Sequence, residues 1–356
     1  MAGRRWNLTA VVFLGMAFVS LYLVTARPPR AQWRPTKVVI PKGSTLPDIE
    51  RMFTDKGLLR YPLVFRMLVI GTMTSKKLQH GEYAFPAPPS AFELWGKIVS
   101  GEVAKYQVTI PDGSTIYDIA QILGTLELVN AEEFHAAATS PDLAARMGIS
   151  GNSLEGYLFP DTYIFEKNMP PEEIIGVMVR RFRRVFTAEM EWTLEEDRLP
   201  LNQIVTIASI IEKETGVEEE KPLISAVIRK RLSLGMRLQM DPTVIYGLKK
   251  FGGNLTKKDL RAPNPYNTYR NYGLPPGPIC NPGLPSLRAA VEPAVTDYLY
   301  FVSRNDGSHQ FSRNLREHNQ AVAVYQKGKD AKTARTEGPG GISDSGAAAP
   351  TPPPRP

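Results

Sequence analysis

The chain has a single cysteine, Cys280, among its 356 residues. That excludes an internal disulfide framework and any zinc site built from several thiolates. Histidine is scarce as well. His80, His135, His309 and His318 are the four present, and none stands in the His-x-x-x-His spacing with which one helix face grips zinc. There is no Gly-x-Ser-x-Gly nucleophile elbow and no phosphate-cradling P-loop. Carboxylates are left as the candidates for acid–base chemistry, and no metal or cofactor is expected.

Charge is missing altogether from one stretch. Leu8 to Ala26 reads LTAVVFLGMAFVSLYLVTA, close to the ~20 apolar residues a helix needs to cross a bilayer. Arg4 and Arg5 precede it, whereas Arg27, Arg30, Arg34 and Lys37 follow, so flanking charge alone does not orient it. Long following domains are translocated largely regardless of such charges. Val24-Thr25-Ala26 loosely resembles a signal-peptide cleavage site, but the run is longer than a usual signal core. The expectation is an uncleaved anchor over residues 8–26, with residues 1–7 cytoplasmic and the remainder outside the cytoplasmic membrane.

Over its full length the composition is that of a globular protein, 42% apolar, with a formal net charge of +7. Positive charge favours anionic neighbours. The densest run, Arg180, Arg181, Arg183 and Arg184, interleaves with Val179, Phe182 and Phe186, the pattern of a solvated helix face. No nucleic-acid motif accompanies it, so no nucleic-acid partner is expected.

After a Pro/Arg spacer at residues 27–36 a repeat appears. VVIPKGSTLPDI at residues 38–49 aligns with VTIPDGSTIYDI at residues 108–119, identical at eight of twelve positions with an offset of 70. Each copy predicts a short β-branched strand, a Pro-x-Gly turn and a helix capped by Ser or Thr. The motif resembles the LysM module, which binds glycans containing N-acetylglucosamine; any strand, turn and capped helix would share the pattern. Gly81-Glu82-Tyr83 and a helix from Ala91 to Val99 are the candidates to complete the first copy.

Beyond it, helices are expected over Pro171–Phe186, Leu201–Thr215 and Glu219–Leu234. Turn signals then crowd together at Pro263-Asn264-Pro265, residues 273–278 and Asn281-Pro282-Gly283; long ordered loops of this kind are usually functional. Residues 328–356 turn to Gly, Ala, Pro, Ser and Lys without aromatics, a composition expected to stay disordered.

The segment IVTIASIIEKETG carries the sharpest chemical signal. Ile207, Ile210, Ile211 and Glu214 fall at i, i+3, i+4 and i+7 on one helix face. Glu212 lies about 200° away from Glu214 at ~100° per residue. Glu212 and Lys213 are therefore expected to point outward while Glu214 ends the buried stripe. A carboxyl group at the lip of an apolar face is partly desolvated and tends to keep its proton, as a general acid must. The same pattern also fits a last turn that simply emerges into solvent. LEGYLFPDTY at residues 154–163 mixes aromatic, acidic and turn residues, as sugar-binding surfaces do and as turns packed on a core do. In RLQMDPTVIYG at residues 237–247, Asp241 is placed to cap the helix that Pro242 opens.

Taken in order, LEGYLFPDTY, IASIIEKET, LGMRLQMDPTVIYGL, PNPYNTYR-x-x-GLPPGPI-x-NPG and YLYFV closely resemble the endolytic murein transglycosylase family, MltG, also called YceG-like. The resemblance runs from about Tyr157 to Tyr325. It implies an α+β chain with an N-terminal transmembrane helix, a small LysM-like β/α module at residues 37–107 and a mixed α+β catalytic domain at residues 108–327. The family's catalytic glutamate directly precedes threonine, which maps to Glu214. The implied reaction is cleavage of the bond between N-acetylmuramic acid and N-acetylglucosamine in peptidoglycan strands, leaving 1,6-anhydro ends and ending strand elongation. Glu155, Tyr157, Gln239, Asp241, Asn267 and Tyr269 become candidates for the glycan cleft, and peptidoglycan synthases candidate partners. A non-catalytic peptidoglycan-binding scaffold is the alternative. A pyridoxal-phosphate lyase, suggested by the family's link to aminodeoxychorismate lyase, is rejected because Lys213 is the only conspicuous lysine near the motif and no phosphate cup accompanies it.

Overall fold

In the computed structural model, residues 33–197, 199–249 and 255–327 are described, together with isolated positions between 16 and 28. The expected cytoplasmic N-terminus and most of the apolar run at 8–26 lie outside the described residues, as does the tail at 328–356. Among the described residues no helix is long and apolar enough to cross a membrane. Packing divides the chain into two units, residues 1–192 with 277–283, and residues 193–276 with 284–356.

The first unit is built from the sequence repeat. In the first copy β1 (Thr36–Ile40) runs into a turn, α1 (Leu46–Asp55) and α2 (Pro62–Gly71), and returns as β2 (Gly81–Phe85) before α3 (Ala91–Ser100). β1 and β2 are antiparallel, with Val38 opposite Tyr83. The second copy repeats the plan: β3 (Lys105–Thr109), α4 (Ile116–Thr125), α5 (Ala131–Ala138), α6 (Pro141–Arg146) and β4 (Thr162–Glu166). β4 pairs antiparallel with β3, Thr109 opposite Thr162. α7 (Pro171–Asp197) follows and runs well past the expected end at Phe186.

Identical residues do identical work in the two copies. Gly43 and Gly113 have φ of +87° and +75°, a left-handed conformation that only glycine adopts without strain. Ser44 and Ser114 each donate back to the turn proline carbonyl, at 2.8 and 2.6 Å. The backbone N–H groups of Thr45 and Thr115 donate to Asp48 and Asp118, at 3.0 and 2.9 Å. These contacts satisfy N–H groups that a helix start leaves unpaired. Behind the first turn, Phe53 meets Phe65 and Phe85 edge-on at 5.9 and 6.2 Å, all of them buried.

The segment at 154–163 is interior. Tyr157 is buried edge-on against Phe182 at 5.2 Å, and burial pushes its hydroxyl pKa up to about 12. Glu155, also buried, accepts hydrogen bonds from the Ile116 N–H (3.1 Å) and from Asn281 Nδ2 (3.0 Å). The Ile116 N–H belongs to the first turn of α4, where a negative charge is favourable. Asn281 is fully buried and donates through Nδ2 to the Ser114 carbonyl at 2.9 Å, while its Oδ1 accepts from the Leu158 N–H at 2.8 Å. Its backbone N–H and carbonyl pair with Ser114 and Gly113, both at 2.9 Å.

The second unit is mainly helical, with α8 (Leu201–Glu214) at its centre and α9 (Lys221–Ser233), α10 (Asp241–Leu248) and α11 (Leu284–Val291) packed on it. β5 (Tyr300–Ser303) and β6 (His309–Ser312) form an antiparallel hairpin, followed by α12 (Leu315–Val322). Every residue of α8 from Ile204 to Ile211 is buried. This helix has no solvated face along most of its length, and the expectation that Glu212 points outward is corrected accordingly. Glu212 turns inward against α9 and α11, where its carboxylate accepts from Ser286 Oγ at 2.6 Å and from Lys221 Nζ at 3.4 Å. Lys213 alone of that turn is exposed.

The buried polar knot around Asn281 generates a stability prediction. Asn281→Ala strands the Leu158 N–H away from water and takes one of the donors from Glu155, and should cost about 2–4 kcal/mol. Urea denaturation of the two proteins measures this; a loss under about 0.5 kcal/mol, the scale of a surface change, would show that the knot carries no stability.

Candidate active site

α8 delivers its last residue, Glu214, to a cavity of about 470 Å³ in the second unit. Thr215 breaks the helix by adopting an extended conformation, φ −142° and ψ 141°. Its hydroxyl donates to Glu220 at 3.1 Å. Glu220 is buried and also accepts from the backbone N–H of His309 and from its ring Nδ1, both at 2.7 Å. The residue following Glu214 is thereby tied to the start of β6.

Burial pushes the Glu214 pKa up to about 8, with the nearby charge of Asp241 as the second cause. Its place at the C-terminal end of α8 acts in the same direction, because the partial negative charge of a helix C-terminus disfavours a carboxylate. Asp241 lines the same cavity. It is the first residue of α10 but makes no capping contact; Met240 occupies the cap position. The carboxylate accepts instead from the Tyr269 hydroxyl at 2.6 Å. Burial and this contact both raise the Tyr269 pKa, so the hydroxyl keeps its proton and can donate it in a hydrogen bond.

Two loop segments are zipped together to bring these groups into place. Gln239 N–H donates to the Thr268 carbonyl at 3.2 Å, and Met240 N–H to Thr268 Oγ1 at 2.9 Å. Asn267 is fully buried; its Nδ2 donates to the carbonyls of Leu260 (3.1 Å) and Ala262 (2.9 Å), and its Oδ1 accepts from the Tyr269 N–H at 3.0 Å. Asn267 therefore shapes the loop that carries Tyr269 and spends its own polar atoms doing so. Gln239 is exposed at the cavity with φ +57°, a strained backbone conformation of the kind that clusters at ligand sites.

Arg231 holds that strained loop. It is buried on α9, and its guanidinium donates to the carbonyls of Leu238 (2.7 Å), Arg237 (3.1 Å) and Leu299 (2.7 Å) and to Gln239 Oε1 (3.4 Å). It also lies over the Tyr300 ring, 4.9 Å from the centroid. Tyr300 stacks on His318 at 5.2 Å, and burial together with the Arg231 charge lowers the His318 pKa.

Of the residues expected at the site, Glu214, Gln239, Asp241 and Tyr269 meet around one cavity. Asn267 stands behind it. Glu155 and Tyr157 belong to the first unit and are packed inside it. Sequence reasoning missed Arg231, Tyr300, His309 and His318, which also line the cavity. A signal for Arg231 exists: it follows Ile224, Val227 and Ile228 at i+7, i+4 and i+3, in phase with the buried face of α9. Its neighbours Arg229 and Lys230 disguise it as part of a solvated basic run.

The model of the YceG-like family matches residues 38–324. An endolytic murein transglycosylase of Bacillus subtilis (strain 168) is 30% identical over 312 residues, spanning 82% of this chain and 85% of that protein. Its namesake from Streptococcus pneumoniae serotype 2 is 29% identical over an alignment of 324 residues that covers 82% of this chain and 58% of that longer protein. The crystal structure of a putative YceG-like protein from Listeria monocytogenes superposes with a TM-score of 0.56 at 33% identity, covering 81% of this chain and 99% of that one.

The Glu214 proton has a thermodynamic consequence. Folding raises its pKa from 4.5 to about 8, so between those values the folded chain holds a proton that the unfolded chain has lost. Stability should therefore fall as pH rises through that window and level off above it. Glu214→Gln cannot ionise, and its stability advantage over the wild type should grow from pH 4.5 to about 8. Denaturant midpoints across that range test this, and a gap independent of pH would contradict the assigned protonation.

Proposed function

This chain belongs to the YceG-like family, and from that premise we propose that it is an endolytic lytic transglycosylase acting on peptidoglycan glycan strands. The observation that carries the reading is Glu214, a carboxyl group kept protonated to about pH 8 at the wall of an open cavity. Such a group donates a proton at neutral pH, which ordinary carboxylates cannot do.

The chemistry follows from one acid used twice. Glu214 gives its proton to the oxygen joining N-acetylmuramic acid to N-acetylglucosamine as the C1–O bond breaks. The carboxylate left behind is desolvated and faces the charge of Asp241, which makes it a strong base. It takes the proton of the muramic C6 hydroxyl while O6 closes on C1. The bond broken and the bond formed balance, Glu214 regains its proton, and no water is consumed. A hydrolase would need a second carboxylate to activate water or to act as a nucleophile; here Asp241 accepts the Tyr269 hydrogen bond. In this reading Gln239, Asp241 and Tyr269 contact the glycan, Asn267 and Arg231 hold the loops that present them, and Tyr300 offers an aromatic face.

The apolar run at residues 8–26 is read as an anchor in the cytoplasmic membrane, with the catalytic unit on the extracytoplasmic side where the substrate lies. The side chains of Met16, Phe18, Val19 and Tyr22 are more than half exposed, as expected of residues whose partner is lipid. Residues 37–107 are read as a LysM-like module, and peptidoglycan synthases as partners that supply nascent strands.

Uncrosslinked glycan strands incubated with the protein should yield internal cuts with 1,6-anhydro ends, detected by mass spectrometry. Glu214→Gln should lower the rate by a factor of about 10²–10⁴, the usual worth of a positioned acid or base. Reducing ends derived from water, or a fully active variant, would overturn the reading. Glu220 is not among the residues that line the cavity and acts by tying Thr215 to His309. Glu220→Ala should lower kcat roughly tenfold to a hundredfold by misplacing Glu214 while leaving KM almost unchanged, and Glu220→Gln should recover most of the loss. A change confined to KM would instead place Glu220 among the glycan contacts.

A further inference from the structure

α2 is apolar on two faces. One face carries Phe65 and Val69 into the core of the first copy. The other carries Leu63, Met67 and Ile70 at i, i+4 and i+7, which lie within about 60° of one another at ~100° per residue. Leu63 is 69% exposed, Met67 72% and Ile70 58%, and Met73, just beyond the helix, is 88% exposed. Scattered exposed apolar residues need no explanation, but a contiguous stripe marks a surface that meets something apolar. Cations border it. Lys76 and Lys77 are exposed in the next turn, and Arg66 flanks the stripe beside Glu50.

The course of the chain says what that partner is. Arg60, two residues before α2, donates through Nη1 to the Arg27 carbonyl at 3.4 Å. The Arg27 guanidinium pairs in turn with Glu93 at 2.5 Å. Arg27 immediately follows the apolar run that ends at Ala26, so the run emerges beside the start of α2.

We propose that the Leu63–Met67–Ile70–Met73 face of α2 docks on an anionic phospholipid membrane, with Lys76 and Lys77 meeting the headgroups. This rests on the reading of residues 8–26 as a membrane anchor. A bilayer that holds Ala26 lies next to Arg27, which the Arg60 side chain ties to the start of α2, and so is brought towards the stripe by the chain itself. A short helix with an apolar face and a basic border is suited to lie in the plane of the interface, and lysines near an anionic surface add attraction that salt screens. Docking of α2 would fix the first copy of the repeat on the bilayer.

The test uses the full chain reconstituted in phospholipid vesicles, with Cys280→Ser and a single environment-sensitive fluorophore at Met67→Cys or, as a control, at the exposed Glu132→Cys. The expected result is quenching of the label at 67 by brominated lipid, with the label at 132 unaffected. The signal should drop several-fold in zwitterionic vesicles, in high salt, and in the Leu63→Ser/Ile70→Ser variant, whose folding is checked by circular dichroism. Vesicle flotation reads the anchor independently. A chain that floats while its label at 67 stays unquenched overturns the docking and leaves the anchor standing; a chain that does not float overturns both. Energy transfer between labels at 67 on two chains, without lipid quenching, would assign the face to self-association and overturn the proposal.

Discussion

The candidate site depends on one constraint: a carboxyl group at the end of a helix that is buried along most of its length. Ile204 to Ile211 are all buried, so α8 reaches the cavity through the interior, and Glu214 loses hydration that a surface glutamate keeps. The neighbouring Asp241 charge and the helix C-terminus oppose ionisation further. Glu212 meets different neighbours. Two residues earlier in the same helix, it is also removed from water, yet it meets Lys221 and Ser286 and is held as a structural ion pair.

A protonated acid is of use only if something is held in front of it, and the second unit builds that wall from several separate pieces of chain. The loop ending in Asp241, the turn carrying Tyr269, the β5–β6 hairpin and α12 all contribute to the lining. Buried polar groups join them. Arg231 gathers three backbone carbonyls, Thr268 binds the Gln239–Met240 segment, and Glu220 ties Thr215 to His309. Each of these polar groups is satisfied by the pieces it joins, which is what makes burying it tolerable.

In the first unit the same kind of polar economy serves folding. Two copies of a strand, a glycine turn and a capped helix form because the same local hydrogen bonds recur at both sites. Glu155 and Asn281 then fasten the second copy to the segment at 277–283. The aromatic and acidic mixture around Glu155 looks like a sugar-binding surface in one dimension and is an interior turn in three. Composition cannot separate those two cases, since both use aromatic rings beside polar groups; burial does.

Local features were legible in the sequence wherever one stretch of chain contains its own partners. The repeat, its turns and caps, the helices beginning at Pro171 and Leu201, and the choice of Glu214 over Glu212 all follow from spacing and helical phase. The outward orientation expected for Glu212 did not hold, because phase identifies the more apolar face but not whether the opposite face is covered by other helices. Asp241 reads as a cap and is engaged by Tyr269 instead, a contact across 28 positions. Arg231 is hidden among its basic neighbours and has a role only because carbonyls from Arg237, Leu238 and Leu299 converge on it. The sequence by itself determined which glutamate ends a buried stripe and which turns repeat, because those depend on interactions a few residues long. Tertiary structure alone decided that this glutamate keeps its proton and which side chains face it, because desolvation and charge depend on what the rest of the chain brings within a few ångströms.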